Sequence, residues 1–354
     1  MKKKVFFVVG SLGAGGSERV FWLLAQGFDK KLYEVFIVHL GQGKSFFSTD
    51  LGDVKVVNLQ TLRASRSFFK LTRMIRKERP YAVFSTGAHI NILMAIISLF
   101  VDIPFLIARE SNVYQEMAKV NNRGFSIWIP LIEIFYRRFN WIISQSQEIS
   151  SSFLTTFGLP ERKLKIIPNP VNVECGTDFS DKEFNEGKIN LLIVARLASE
   201  KMHSRLLSIF AALPKNFYLT IAGDGPCRDA ITAQITEMKI GDRVMMLGEV
   251  ENVNQLYQSH QVCLLSSVTE GFPNALLESI ANGTPVVAFK VGGLSNLVID
   301  GFNGYIIDQN DQESFRLHVL KASSRVWDRT AMVGDIKKRF SLNKIAVDYQ
   351  SLIS

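Results

Sequence analysis

The stretch Asn190–Lys201, NLLIVARLASEK, decides how the rest of this 354-residue chain is read. Asn190–Val194 has the length and apolar character of a buried strand, and it runs into two cations, Arg196 and Lys201. A strand that delivers charge at its carboxyl end, followed by the helix-like Arg205–Leu213, is the opening unit of a parallel α/β sheet. Ligands of such sheets gather at that edge.

The same alternation continues on both sides. Downstream, Phe217–Ala222 is a strand ended by Gly223-Asp-Gly-Pro, and Val244–Leu247, Val262–Ser266 and Pro285–Phe289 are further strands. Helices are expected around residues 230–238, 252–259 and 273–282. Upstream, Val5–Val9 enters the glycine-rich loop Gly10–Gly16 and a helix-like stretch from Glu18 to Gln26. Strands follow at Val35–Leu40, Val54–Leu59, Ala82–Ser85, Ile103–Ala108 and Trp141–Ser144, and Arg66–Glu78 reads as a helix closed by Pro80. The fold class is therefore α/β, with two doubly wound, Rossmann-like domains facing across a cleft. The expected divisions are an N-terminal domain over residues 1–170, a polar linker over 171–188, a second domain over 189–334 and a terminal segment over 335–354. At about 150 residues per domain the length fits two cores.

Composition removes several function classes. With 47% hydrophobic and 21% charged residues the chain is neither disordered nor fibrous. Its three cysteines, Cys175, Cys227 and Cys263, are isolated, which points to a reducing compartment and to no zinc site of the usual spacing. The net charge of +8 is divided unequally: residues 1–170 carry 23 Lys/Arg against 12 Asp/Glu, and residues 171–354 carry 18 against 21. A basic N-terminal half implies an anionic partner.

Two segments mix that charge with large apolar groups. Arg66–Arg79 sets Phe68, Phe69, Leu71, Met74 and Ile75 among six basic residues, and Ser126–Trp141 is rich in Ile, Trp, Phe and Tyr and ends beside Arg137 and Arg138. Each suits either the interface of an anionic membrane or a helix packed on the core with a solvated basic face. Ile92–Ala108 is broken by Asp102 and Pro104 and reads as a buried helix and a strand, not a membrane span. The lysine-rich start lacks a cleavage-like site, so a cytoplasmic protein is expected, peripheral on the inner membrane. No nucleic-acid-binding module is present in the sequence.

Three constellations carry the chemistry. Arg196 and Lys201 suit the two phosphates of a nucleoside diphosphate, or are exposed surface charges. Gly223-Asp-Gly-Pro is a tight turn near the same edge. In Glu270-Gly271-Phe272-Pro273-Asn274-Ala-Leu-Leu277-Glu278, a helix begins at Pro273 and Asn274, with one carboxylate just before it and one inside. Glu270 is either a ligand for sugar hydroxyls or a cap, and Glu278 either a ligand or a solvated helix residue. The loop Gly10–Gly16 matches a dinucleotide fingerprint poorly, because no acidic residue ends the following strand.

Taken in order, these motifs and Gly292-Gly293 resemble the retaining nucleotide-sugar glycosyltransferases of family 4, which have the GT-B arrangement. Gly15-Gly16-Ser-Glu-Arg, the crossover Ile167-Pro-Asn-Pro-Val and the final segment Phe340–Ile353 resemble the family as well. The resemblance implies transfer of a hexose or N-acetylhexosamine from a UDP-linked donor to a lipid-linked or membrane-located glycan, with retention. By that resemblance Arg196 and Lys201 bind the diphosphate, Glu270 lies near the transferred sugar and Glu278 holds the ribose. Gly15 and Gly16 face the donor phosphates, and Gly223, Gly271, Phe272, Pro273, Asn274 and Leu277 belong to the donor site, with Glu249 beside the base. His89, Arg109 and Glu110 are placed on the acceptor side; for His89 a packed or capping role is the alternative. No Asp-x-Asp motif appears, so neither metal nor cofactor is expected. Two departures stand out: Asn296 replaces the family's glutamate after Gly292-Gly293, and Asn169-Pro170 replaces its Asn-Gly. The rival readings are a sugar-nucleotide epimerase, a non-catalytic nucleotide-sugar binder and a transferase acting on a soluble acceptor.

Overall fold

The computed structural model describes residues 2–41, 45–61, 64–111, 128–173 and 187–354. Most of the expected linker, the first part of Ser126–Trp141 and Cys175 lie outside the described residues. The chain divides into two compact units, one built from the residues up to Pro170 together with Phe340–Ser354, the other from Val171–Arg339.

The first unit is a seven-stranded sheet, all of whose strand pairs are parallel. In chain order its strands are β1 (Lys3–Val9), β2 (Tyr33–His39), β3 (Val54–Asn58), β4 (Ala82–Thr86), β5 (Phe105–Glu110), β6 (Trp141–Ser144) and β7 (Leu164–Ile166). The spatial order β3-β2-β1-β4-β5-β6-β7 reverses direction between β1 and β4. Helices α1 (Gly16–Gly27), α2 (Phe68–Glu78), α3 (Ala88–Ile97), α4 (Trp128–Phe135) and α5 (Gln147–Phe157) connect the strands. Both faces of the sheet are dry, which is why its strands are almost continuously apolar. On one face Phe6, Val8, Leu106, Ala108 and Ile142 pack with Ile90, Met94 and Tyr136. On the other, Phe7, Phe84, Ile107 and Ile143 pack with Phe21 and Leu24 of α1 and with Ile345 and Tyr349. Phe7 stacks on Phe84 and meets Phe21 and Phe28 edge-on, arrangements that aromatic quadrupoles favour.

The second unit repeats the plan with six parallel strands: β8 (Ile189–Val194), β9 (Phe217–Ala222), β10 (Val244–Gly248), β11 (Val262–Leu265), β12 (Val286–Phe289) and β13 (Gly304–Ile307). Their order, β10-β9-β8-β11-β12-β13, places the reversal between β8 and β11. The connecting helices are α6 (His203–Ala211), α7 (Arg228–Glu237), α8 (Asn254–Ser259), α9 (Asn274–Ala281) and α10 (Gln312–Ser324), followed by α11 (Arg329–Phe340). The last helix, α12 (Leu342–Ser351), packs on α1 of the first unit. A side chain at Gly27 would meet Leu342 at 2.9 Å, so the glycine permits the close approach of the two helices. The indole of Trp141 donates to the carbonyl of Leu352 at 3.1 Å and fastens the end of the chain.

Two strands, β7 and β13, were not foreseen. They have three and four residues, too few to establish a pattern along the chain, and each finds its place by pairing with a neighbour already in the sheet. The expected helix over Arg66–Glu78 begins later, after a 3-10 turn at Ala64–Ser67, and stops at Arg79, whose φ of 49° sends the chain into Pro80. Among the described residues no helix is long and apolar enough to cross a membrane.

Candidate active site

In the second unit, the reversal of strand order puts the loops after β8 and β11 side by side, and these loops hold the cations and the first carboxylate. They are stitched together four times. The Val268 amide donates to the Glu200 carbonyl at 3.0 Å, and the Ser266 hydroxyl to the Lys201 carbonyl at 2.7 Å. The Lys201 ammonium donates to Glu270 Oε1 at 2.6 Å, and the Ser267 hydroxyl donates to the same oxygen at 2.8 Å. The Lys201 and Glu270 side chains are 20% and 15% exposed, so the pair is sheltered but reachable. An ammonium has three donors, and one engaged by Glu270 leaves capacity for an anionic ligand. Arg196 is exposed at the same edge.

The turn after β9 supports that edge from the other side. Leu197 donates its amide to Asp224 O at 2.9 Å and accepts from the Cys227 amide at 2.9 Å. Gly223 has a φ of 143°, and a side chain there would lie 2.0 Å from the Ala195 carbonyl oxygen. Its contribution is thus to let two backbones touch, which holds the segment carrying Arg196. Glu249 is exposed just beyond β10, two strands away from β8.

Gly271, Phe272 and Pro273 are buried and lead into α9. Phe272 and Leu277 are core residues, so they place the loop and helix instead of offering side-chain surface to a ligand. Glu278 is not the solvated helix residue that was the plainer alternative: it is only 8% exposed, with the hydroxyl of the buried Tyr257 at 3.5 Å from Oε2. Asn274 opens the helix, half-buried. Asn296, at the end of a 3-10 turn, is exposed, and its carbonyl accepts from Arg339. His203, first in α6, is 3% exposed; burial, aided by the Lys201 charge, pulls its pKa to about 4.

In the first unit, the reversal lies between β1 and β4, and the loops that follow them again meet. Gly15 is the N-cap of α1, and Gly16 begins the helix at the exposed surface. The Glu18 carboxylate folds back over Gly15, where a side chain would meet it at 2.1 Å. Burial raises the pKa of Glu18, against the opposing charge of Arg109. His89 stands in the first turn of α3 beside Gly10, where a side chain would lie 3.7 Å from its Nε2. Partial desolvation lowers the pKa of His89, which nevertheless keeps an exposed face.

Arg109 and Glu110, the other two acceptor-side candidates, end β5 and are buried. Neighbours in a strand point to opposite faces, and both of these point inward. Arg109, 1% exposed, donates to Asn169 Oδ1 at 2.6 Å, Ser17 Oγ at 3.3 Å and Thr86 Oγ1 at 3.4 Å. Burial lowers its pKa, partly offset by Tyr349 and Glu110. Glu110, fully buried, accepts from Asn91 Nδ2 at 2.6 Å and from the Tyr136 hydroxyl, while Asn91 accepts from Ser85 at 2.6 Å. Both residues hold the strand edge together from inside the unit. Sequence reasoning also passed over Ser266, Ser267 and Tyr257, for which hydroxyl side chains in a chain of many serines give no signal.

Among the described residues no cluster of three or more His, Cys, Asp or Glu is placed to hold a metal ion. Cys227 and Cys263 are free thiols, and burial pushes Cys263 up to about 12.

Residues 14–174 match the model for glycosyltransferase family 4, and residues 176–338 match the model for glycosyl transferases group 1. The chain is 26% identical over 370 residues to the Campylobacter jejuni GalNAc-alpha-(1->4)-GalNAc-alpha-(1->3)-diNAcBac-PP-undecaprenol alpha-1,4-N-acetyl-D-galactosaminyltransferase, covering 99% of this chain and 98% of that protein. It is 25% identical to a second enzyme of that organism, N-acetylgalactosamine-N,N'-diacetylbacillosaminyl-diphospho-undecaprenol 4-alpha-N-acetylgalactosaminyltransferase, with 88% of each covered. The fold matches the crystal structure of Anabaena HepE in complex with UDP and glucose, with a TM-score of 0.81 and 17% identity over 99% of this chain and 98% of that one. Matched across both of its Rossmann-like units, the chain belongs to the two-domain glycosyltransferases of the GT-B fold.

Proposed function

We propose that this protein is a retaining glycosyltransferase that moves a hexose or N-acetylhexosamine from a UDP-linked donor to a lipid-linked glycan at the cytoplasmic face of the inner membrane. The observation that carries the reading is the Lys201–Glu270 pair at the strand-order reversal of the second unit, with Arg196 exposed at the same edge. The donor fits the UDP and glucose bound by HepE, and the acceptor fits the undecaprenol-linked glycans of the two Campylobacter relatives.

In the proposed reaction the bond from the anomeric carbon to the donor's diphosphate breaks, and negative charge grows on the leaving oxygen. Arg196 and Lys201 stabilise that charge, which is where preorganised cations accelerate a reaction most. Retention through a covalent intermediate needs a carboxylate nucleophile. Glu270 is instead occupied by Lys201 and Ser267 on one oxygen, which favours a role in orienting the sugar. The acceptor's hydroxyl oxygen bonds to the anomeric carbon on the face the diphosphate leaves, and the departing diphosphate accepts its proton. Glu278, anchored beside Tyr257, takes the ribose hydroxyls.

Membrane attachment is assigned to α2. Phe69 is 81% exposed and Phe100 59%, both rings contact Phe68, and Lys70, Arg73, Arg76 and Lys77 are exposed around them. Aromatic groups ringed by cations suit an anionic bilayer surface. The test of the whole reading is mass-spectrometric detection of product from a panel of UDP-sugars with a membrane extract as acceptor. A wild-type protein that binds and turns over no nucleotide sugar sinks it.

A further inference from the structure

We infer that Arg205 and Gln309 are positioning residues of the donor site, a bracket that keeps Lys201 and Glu270 in register; the inference rests on the transferase reading above. The bracket works through two consecutive serines. Ser266 and Ser267, 0% and 1% exposed, each use their hydroxyl on the site side, toward the Lys201 carbonyl and the Glu270 carboxylate. Their own carbonyls face the other way and are each taken by a long side chain. Arg205 Nη2 donates to Ser266 O, and Gln309 Nε2 donates to Ser267 O at 3.0 Å.

The two long side chains are joined to each other. Arg205 Nη1 donates to Gln309 O at 2.8 Å and to Gln309 Oε1 at 3.0 Å, and Gln309 Nε2 also donates to Lys290 O at 2.9 Å. This pattern fixes the orientation of the amide: turned over, it would present donors to a guanidinium and an acceptor to two carbonyls. The guanidinium lies 3.8 Å from the Phe289 ring centroid, which holds its plane. Arg205 is in the first turn of α6, Ser266 and Lys290 are the residues after β11 and β12, and Gln309 follows β13. One bracket therefore ties three neighbouring strand exits to the helix that follows the Lys201 loop. Reacting groups must be held to within about 0.5 Å, and two unrestrained loops would not achieve this. A lysine at 205 lacks the planar fork needed to bridge Ser266 and Gln309 while stacking on Phe289.

The decisive variant is Gln309→Glu, which keeps the shape and the Arg205 contact but removes both N–H donors. UDP release is followed with the UDP-sugar that the wild type turns over and a membrane extract as acceptor. The expected result is a fall in kcat of roughly tenfold or more, with little change in donor KM. In a Glu270→Gln background the same change costs almost nothing further, because residues acting through one another are not additive. Arg205→Lys gives the same pattern. Multiplicative effects in that cycle, or unfolding of both variants, overturn the positioning role. A wild type inactive on every UDP-sugar overturns the transferase reading as well, which keeps the two failures distinct.

Discussion

Lys201 and Glu270 are 69 residues apart in the chain, and Lys201 Nζ lies 2.6 Å from Glu270 Oε1. The pair exists because β8 and β11 are neighbours in the sheet although β9 and β10 lie between them in sequence. In the free protein the carboxylate satisfies the ammonium, so the cation waits at the strand edge without unpaired charge. In the proposed reaction a diphosphate, carrying more charge than one carboxylate, competes for the remaining donors.

Lys201→Ala is expected to lower transfer by about 10²–10³-fold, the usual cost of one preorganised donor to a developing anion. The fold should survive, since Ser267 still donates to Glu270 and the backbone carbonyl at position 201 still accepts from Ser266. Steady-state rates with a UDP-sugar, beside a thermal melt, check this. Unaltered turnover would remove Lys201 from the site.

Gly223→Ala combines a φ of 143° with a clash at 2.0 Å against Ala195 O. Gly52→Ala is the control: its φ is 58°, but nothing lies within 4 Å of the added carbon. The control should lose about 1–2 kcal/mol from backbone conformation alone, and Gly223→Ala distinctly more. Urea unfolding of both variants gives the comparison. Equal losses would mean the Arg196 segment yields to the extra carbon.

His203 has a depressed pKa of about 4 in the folded protein, against an ordinary value of 6.5. The unfolded chain therefore binds the proton first as pH falls. The associated stability is present above pH 6.5 and is lost on acidification toward pH 4, by about 3 kcal/mol in total. His203→Leu should flatten that part of the curve. Urea midpoints at neutral and mildly acidic pH test it, and an unchanged slope rules out His203 as the source.

Phe69→Ser is expected to weaken recovery on anionic vesicles in flotation while leaving the melt unchanged, because Phe69 is 81% exposed. A fully inserted phenylalanine contributes about 1.5–3 kcal/mol, so the loss should be severalfold or greater. Raising the salt should weaken binding further through Lys70, Arg73, Arg76 and Lys77. Equal recovery on neutral and anionic vesicles would contradict the charged part of the surface.

Arg196 and Lys201 were legible in the chain because a strand had to end before them, and local apolar runs report strands reliably when they are long enough. The two-layered repetition of strand and helix was legible for the same reason. Arg109 and Glu110 looked equally chemical beside each other at a strand end, yet both turn inward: whether an ionic side chain meets a ligand or an internal partner depends on what the adjoining elements bring, here Asn169, Ser17, Asn91 and Tyr136. Arg205 and Gln309 carried no mark at all, one resembling any solvated helix arginine, the other any loop amide. Periodicity and charge along the chain settled the α/β class, most of the strands and the candidate cations. The pairing of Lys201 with Glu270, the burial of Glu278 and the bracket behind the serines came only with strand order, since parallel crossovers bring together residues whose separation in sequence holds no trace of their contact.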